Sequence, residues 1–130
     1  MNFAKRLYLF AGIYGLVAIL PQYFLEEMNG RLNPPALTHP EYYYGFLGVG
    51  LAWQIAFLLI SRDPARYRMM MIPGIAEKVL FGVAVIALFL AGRVGGAMLA
   101  AGVVDLTWAV LFVVAFMRTS AIAFTTTAAT

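Results

Sequence analysis

The chain contains no cysteine. That excludes a thiol redox centre, a disulfide framework and any thiolate-ligated metal. It holds a single histidine, His39, which excludes a haem held by two histidines from facing helices of this one chain. His39 and the nearby Glu41 offer one imidazole and one carboxylate, short of the three or four ligands of a protein metal site. No metal and no cofactor is expected. Charge is also scarce: 12% of the 130 residues are Asp, Glu, Lys or Arg, against about 25% in soluble globular domains. The formal net charge of +3 does not point to nucleic acid, because the basic residues lie between apolar runs and form no patch. Polar stretches are too short to supply a second, soluble core. One domain is expected over residues 1–118, followed by a frayed tail over 119–130.

What fills the chain is apolar. Hydrophobic residues make up 63% of it, and the mean hydropathy is +0.86. At 1.5 Å of rise per residue, about 20 apolar residues cross the roughly 30 Å of bilayer hydrocarbon. Four segments meet that length, over about residues 7–25, 42–60, 71–92 and 97–117. The fold class is therefore all-α: an integral membrane four-helix bundle, with short links that favour antiparallel neighbours. The first segment follows Lys5 and Arg6, as a signal peptide would, but no small-x-small cleavage pattern precedes Pro21. It is expected to stay as a membrane helix.

The connections carry start and stop signals. Residues 26–41 form the only long link, with Asn29-Gly30 and Asn33-Pro34-Pro35 as breakers. Thr38-His39-Pro40-Glu41 has the spacing of a capping box, in which the Thr38 hydroxyl and the Glu41 carboxylate would each take an amide proton at the start of the second helix. Tyr42, Tyr43 and Tyr44 follow and suit a headgroup-level aromatic belt. In Ser61-Arg62-Asp63-Pro64, Asp63 is placed to cap the third helix, with Pro64 in its first turn. Arg93-Val94-Gly95-Gly96 reads as a tight turn. Six basic residues (Lys5, Arg6, Arg62, Arg66, Arg68, Arg118) fall on one side of the spans and two (Arg31, Arg93) on the other. By the positive-inside rule both termini are cytoplasmic. The localisation expected is the bacterial inner membrane, multi-pass.

Inside these spans lie a few polar residues, and each has a depth. Tyr14, Gln54 and Lys78 sit about seven residues from the cytoplasmic ends, roughly 10 Å deep, and Asp105 roughly 18 Å deep. Gly74, Lys78 and Gly82 share one face of the third helix, while Gly102, Asp105 and Ala109 share one face of the fourth; small residues let membrane helices approach closely. A buried polar cluster of Tyr14, Gln54, Glu77, Lys78 and Asp105 is expected from this register. Each member has a plainer reading. Glu77 and Lys78 can snorkel to the interface, Asp105 can act as an interhelical polar contact, and Tyr14 and Gln54 can be ordinary packing residues.

The order of features resembles the small four-helix bacterial membrane proteins grouped as DoxX-like. The residues that carry the resemblance are the Leu7 to Leu20 span, Pro34-Pro35, Thr38-His39-Pro40-Glu41, Tyr44-Gly45-Phe46, Trp53-Gln54, Arg62-Asp63-Pro64, Glu77-Lys78 and Asp105. The resemblance implies the bundle. Members of that group are linked to quinol oxidase subunits or redox-related membrane complexes, and no catalytic residue set carries over.

Two functions follow. The first is a non-enzymatic accessory or stabilising subunit of a larger membrane complex, or a homo-oligomer, read from glycine-rich faces and the lack of a catalytic constellation. The alternative is a binding or transport bundle for a small hydrophobic or amphipathic molecule, anchored by Glu77, Lys78 and Asp105. A lipid-modifying enzyme using Asp105 as a proton donor ranks last, for want of a second acid-base group. Small multidrug exporters match the length and helix number, but their acid lies in the first helix, where this chain has none.

Overall fold

The computed structural model describes residues 2–120. Among them there are helices and turns only, with no strand. Helix α1 spans Asn2–Ile19 and tightens into a 3-10 turn over Leu20–Phe24. Pro21 lies in that turn; it has no amide proton to donate back along the helix, which favours the change of pitch. A short helix α2 covers Glu26–Leu32, inside the link expected to be irregular. Its first turn carries Glu26 and Glu27 and its last turn Arg31, the charge order that a helix dipole favours. Helices α3 (Pro40–Arg62), α4 (Met71–Leu90) and α5 (Gly96–Arg118) complete the set.

Four helical stretches, Asn2–Phe24, Pro40–Arg62, Arg68–Leu90 and Gly96–Arg118, are long and apolar enough to cross a membrane. Only 22–28% of each is buried within the chain, so the outward faces, with Phe10, Val17, Leu80 and Leu90, are apolar. Such a continuous apolar surface suits hydrocarbon rather than water.

Several local expectations are corrected. The capping box does not form. Helix α3 takes His39 as its N-cap with no side-chain cap, because Pro40 occupies the first turn and moves the cap one residue past Thr38. Glu41 is then one residue short of the capping-box position and lies 3.2 Å from His39 Nδ1 instead. Asp63 does not cap α4; its Oδ1 accepts from the Arg66 amide at 3.2 Å within the connecting turn, and a 3-10 turn over Arg68–Met70 leads into α4. Of the tyrosine run, only Tyr42 projects outward as a free belt residue. The Tyr43 hydroxyl donates to Gln22 O at 2.6 Å and accepts from Asn29 Nδ2 at 2.8 Å; the Tyr44 hydroxyl donates to Glu26 Oε2 at 2.8 Å. These bonds tie α2 to the start of α3. Of the expected tail, Thr119 is 2% exposed, with its hydroxyl donating to Ala115 O at 2.7 Å. Residues 121–130 lie outside the described residues.

The turn after α4 follows its sequence. Gly92 has φ 72°, a left-handed conformation that a side chain would strain. The Gly92 amide donates to Phe89 O at 2.9 Å and the Arg93 amide to Leu88 O at 2.8 Å, the paired bonds of a Schellman helix end.

Helix α1 packs along α3 and α5, and α4 packs along α5, whereas the successive helices α3 and α4 touch only sparsely. One end of the assembly is filled by a ring cluster. Tyr8 stacks on Phe112 at 4.4 Å between centroids, Phe57 meets Phe112 edge-on at 5.0 Å, and Ala4, Ala11, Ile60, Met71 and Ala115 close around them. In hydrocarbon, lipid tails are as apolar as these groups, so the cluster holds the helices by dense contact rather than by escape from water.

Candidate functional site

The site begins with a consequence of helical pitch. Glu77 and Lys78 are adjacent on α4 and so point about 100° apart. Lys78 turns inward with Gly74 and Gly82, and all three are buried. The lysine is 7% exposed, which corrects the reading that it snorkels outward. One turn further along, α4 runs close to α5: a Cβ at Gly82 would lie 3.0 Å from Gly102 O. Asp105, one turn beyond Gly102 on α5, therefore comes within reach.

Lys78 Nζ lies 3.4 Å from Asp105 Oδ1 and 3.5 Å from Glu77 Oε2. The Asp105 contact is a hydrogen bond. The Glu77 contact is close enough for charge attraction but is not aligned as one, since Glu77 Oε2 is buried with no hydrogen-bond partner. Each isolated charge at such a depth costs roughly 2.5–3.5 kcal/mol on insertion scales, which mutual attraction offsets. Lys78 Nζ also lies 5.5 Å from the centre of the Phe57 ring, joining the charged trio to the ring cluster.

Gln54 faces them from α3 and is 2% exposed. Its Nε2 donates to Gly50 O at 2.9 Å. Its Oε1 accepts no hydrogen bond and rests against Gly15 of α1, where any added Cβ would overlap the amide. Tyr14 differs from the expectation of a buried cluster member. It is 49% exposed, and its ring lies 5.8 Å from Trp108. Among the described residues no hydrogen bond joins Tyr14 or Gln54 to the charged trio.

All five expected residues nevertheless line one cavity of about 370 Å³ between α1, α3, α4 and α5. The volume falls within the ~300–1,000 Å³ of small-molecule sites. Its polar floor is Gln54, Glu77, Lys78 and Asp105; its walls include Ile19, Phe46, Val49, Phe81 and Met98. Phe46 and Phe81 approach to 5.8 Å across the sparse α3–α4 seam. The sequence did not place Gly15, Phe46 or Phe81 beside the polar cluster. Gly15 carries a readable signal, its i,i+3 spacing from Gly12 on α1, but nothing in the sequence says which partner lies opposite. A larger hollow of about 420 Å³ lies on the 26–37 loop, lined by Glu26, Glu27, Gly30, Arg31, Ala36 and Leu37; it is an open dish away from the charged trio. The outer residues Thr38, His39 and Glu41 are exposed and take no part in the cavity.

The chemistry such a cavity offers is recognition of a molecule with an apolar body and one polar end. Its lining contains no Ser, Thr, Cys or His among the described residues. Comparison with models of protein families, with curated proteins and with solved structures finds no match to this chain.

Proposed function

We propose that this chain is a multi-pass protein of the bacterial inner membrane whose four long helices form an antiparallel bundle, with both termini cytoplasmic, and bind a small hydrophobic or amphipathic molecule between them. The observation that carries the reading is the single cavity that gathers Tyr14, Gln54, Glu77, Lys78 and Asp105 from four different helices. A charged trio held only for packing has no need of a hollow beside it. The DoxX-like resemblance includes these five positions among the residues that carry it and implies a bundle. The accessory-subunit reading draws on glycine-rich helix faces and the lack of a catalytic constellation, and on no feature of the cavity.

Native mass spectrometry of the gently extracted chain tests the choice, with Ala101→Phe as a variant that fills the cavity. A small bound mass lost in Ala101→Phe supports binding. Retained protein subunits with no small mass, unchanged in Ala101→Phe, would instead make it an accessory component. Reporter fusions after Asn33 and after Ala65 test the orientation; they are expected outside and in the cytoplasm respectively, and the reverse result overturns it.

A further inference from the structure

The charged residues lining the cavity are Glu77, Asp105 and Lys78. Two carboxylates thus face one ammonium, and when all three are ionised one negative charge is left over. Lys78 lies against both acids, at 3.4 Å and 3.5 Å, and no other cation lines the cavity among the described residues. The other polar residues of the lining, Tyr14, Gln22 and Gln54, are uncharged. The lining is therefore short of positive charge. Phe46 and Phe81 also line the cavity, and aromatic rings attract cations.

We infer that the molecule taken by this cavity carries a positive charge at its polar end, as a protonated amine on an apolar body does. The inference rests on the binding role proposed above. An ammonium supplies the missing positive charge, while the apolar body lies along Ile19, Val49 and Met98. A carboxylate of the same shape would meet Glu77 and Asp105 with like charge. An alcohol would supply a donor but leave the charge uncompensated.

The test uses the full chain in phosphatidylcholine nanodiscs at neutral pH, titrated with decylammonium, decanol and decanoate and followed by tryptophan fluorescence, with Ala101→Phe measured in parallel to subtract partitioning into lipid. Decylammonium is expected to bind at least about tenfold tighter than decanol, a difference of about 1.4 kcal/mol, with decanoate weakest. Glu77→Gln and Asp105→Asn should each bring decylammonium close to decanol, and either variant suffices if the other fails to fold. Adding phosphatidylethanolamine separates two sources of the same chemistry: competition assigns the ammonium to a lipid headgroup, and no competition assigns it to a free amine. Equal binding of all three probes, lost in Ala101→Phe, overturns the charge preference and leaves the binding role standing. A preference that persists in both carboxylate variants also overturns it. Identical titrations of wild type and Ala101→Phe overturn the binding role itself.

Discussion

Gly15 of α1 stands where any side chain would overlap the Gln54 amide of α3. The glycine is the seat that lets Gln54 lie flat beside the cavity, and its effect reaches the site without a contact of its own to the charged trio.

Gly15→Ala should push Gln54 out of this seat and into the cavity. Because the displaced atoms belong to a flexible side chain, the stability cost should be about 1 kcal/mol, the low end for overpacking, while small-molecule binding falls sharply. Adding Gln54→Ala should restore binding. The check is thermal unfolding together with ligand retention; a Gly15→Ala chain that binds like wild type would sink the idea.

Lys78 and Asp105 are not equivalent partners. Lys78→Met leaves two half-buried carboxylates without their shared cation, and the loss should approach about 3–5 kcal/mol, that of a broken buried pair. Asp105→Asn leaves Lys78 paired with Glu77, so the loss should stay near the ~0.6–1.7 kcal/mol of interhelical polar contacts in membranes. Denaturation in mixed micelles reads the difference, and equal losses would contradict the three-charge arrangement.

Gly82 and Gly102 set the distance between α4 and α5. A Cβ at Gly102 would lie 2.8 Å from Val85 Cγ1, whereas one at Gly45 meets nothing within 4 Å. Gly102→Val should therefore destabilise by about 1–3 kcal/mol or more. Gly45→Ala, in an open helical position, should stabilise by up to about 1 kcal/mol. Parallel melting curves check the contrast in sign.

Arg68 closes the far end of α5. Its Nε donates to Thr119 O at 2.6 Å and to Phe116 O at 3.3 Å, and its guanidinium stacks 3.7 Å from the Phe116 ring centre. Arg68→Ala should speed amide exchange around residues 115–119 and cost about 1.5–3 kcal/mol, as loss of a charge-assisted bond does. Arg68→Lys should not rescue it, because an ammonium lacks the planar fork that stacks and bonds together. Hydrogen-exchange mass spectrometry reads both variants.

Much of the fold was legible residue by residue. The α4 and α5 limits fall within two residues of the expected 71–92 and 97–117, since hydropathy and glycine breakers are local properties. The α2 helix was missed because Asn29-Gly30 reads as a break, while Glu26, Asn29 and two tyrosines of α3 hold it in place from a distance. The capping box failed for a local reason, the demand of Pro40 for the first helical turn.

The amino-acid order alone determined that four stretches are apolar for a bilayer's length and that Gln54, Lys78 and Asp105 must be inside them, because both follow from counting along one strand of chain. Only tertiary structure decided that α1 pairs with α3 and α4 with α5, that Tyr14 stays half exposed, and that a hollow remains beside the ions. Those outcomes depend on which side chains meet across helices: Gly15 yields to Gln54, Gly82 to Gly102, and Phe46 and Phe81 face each other across a seam where the backbones stand apart. Shape complementarity between distant segments has no counterpart in a local pattern.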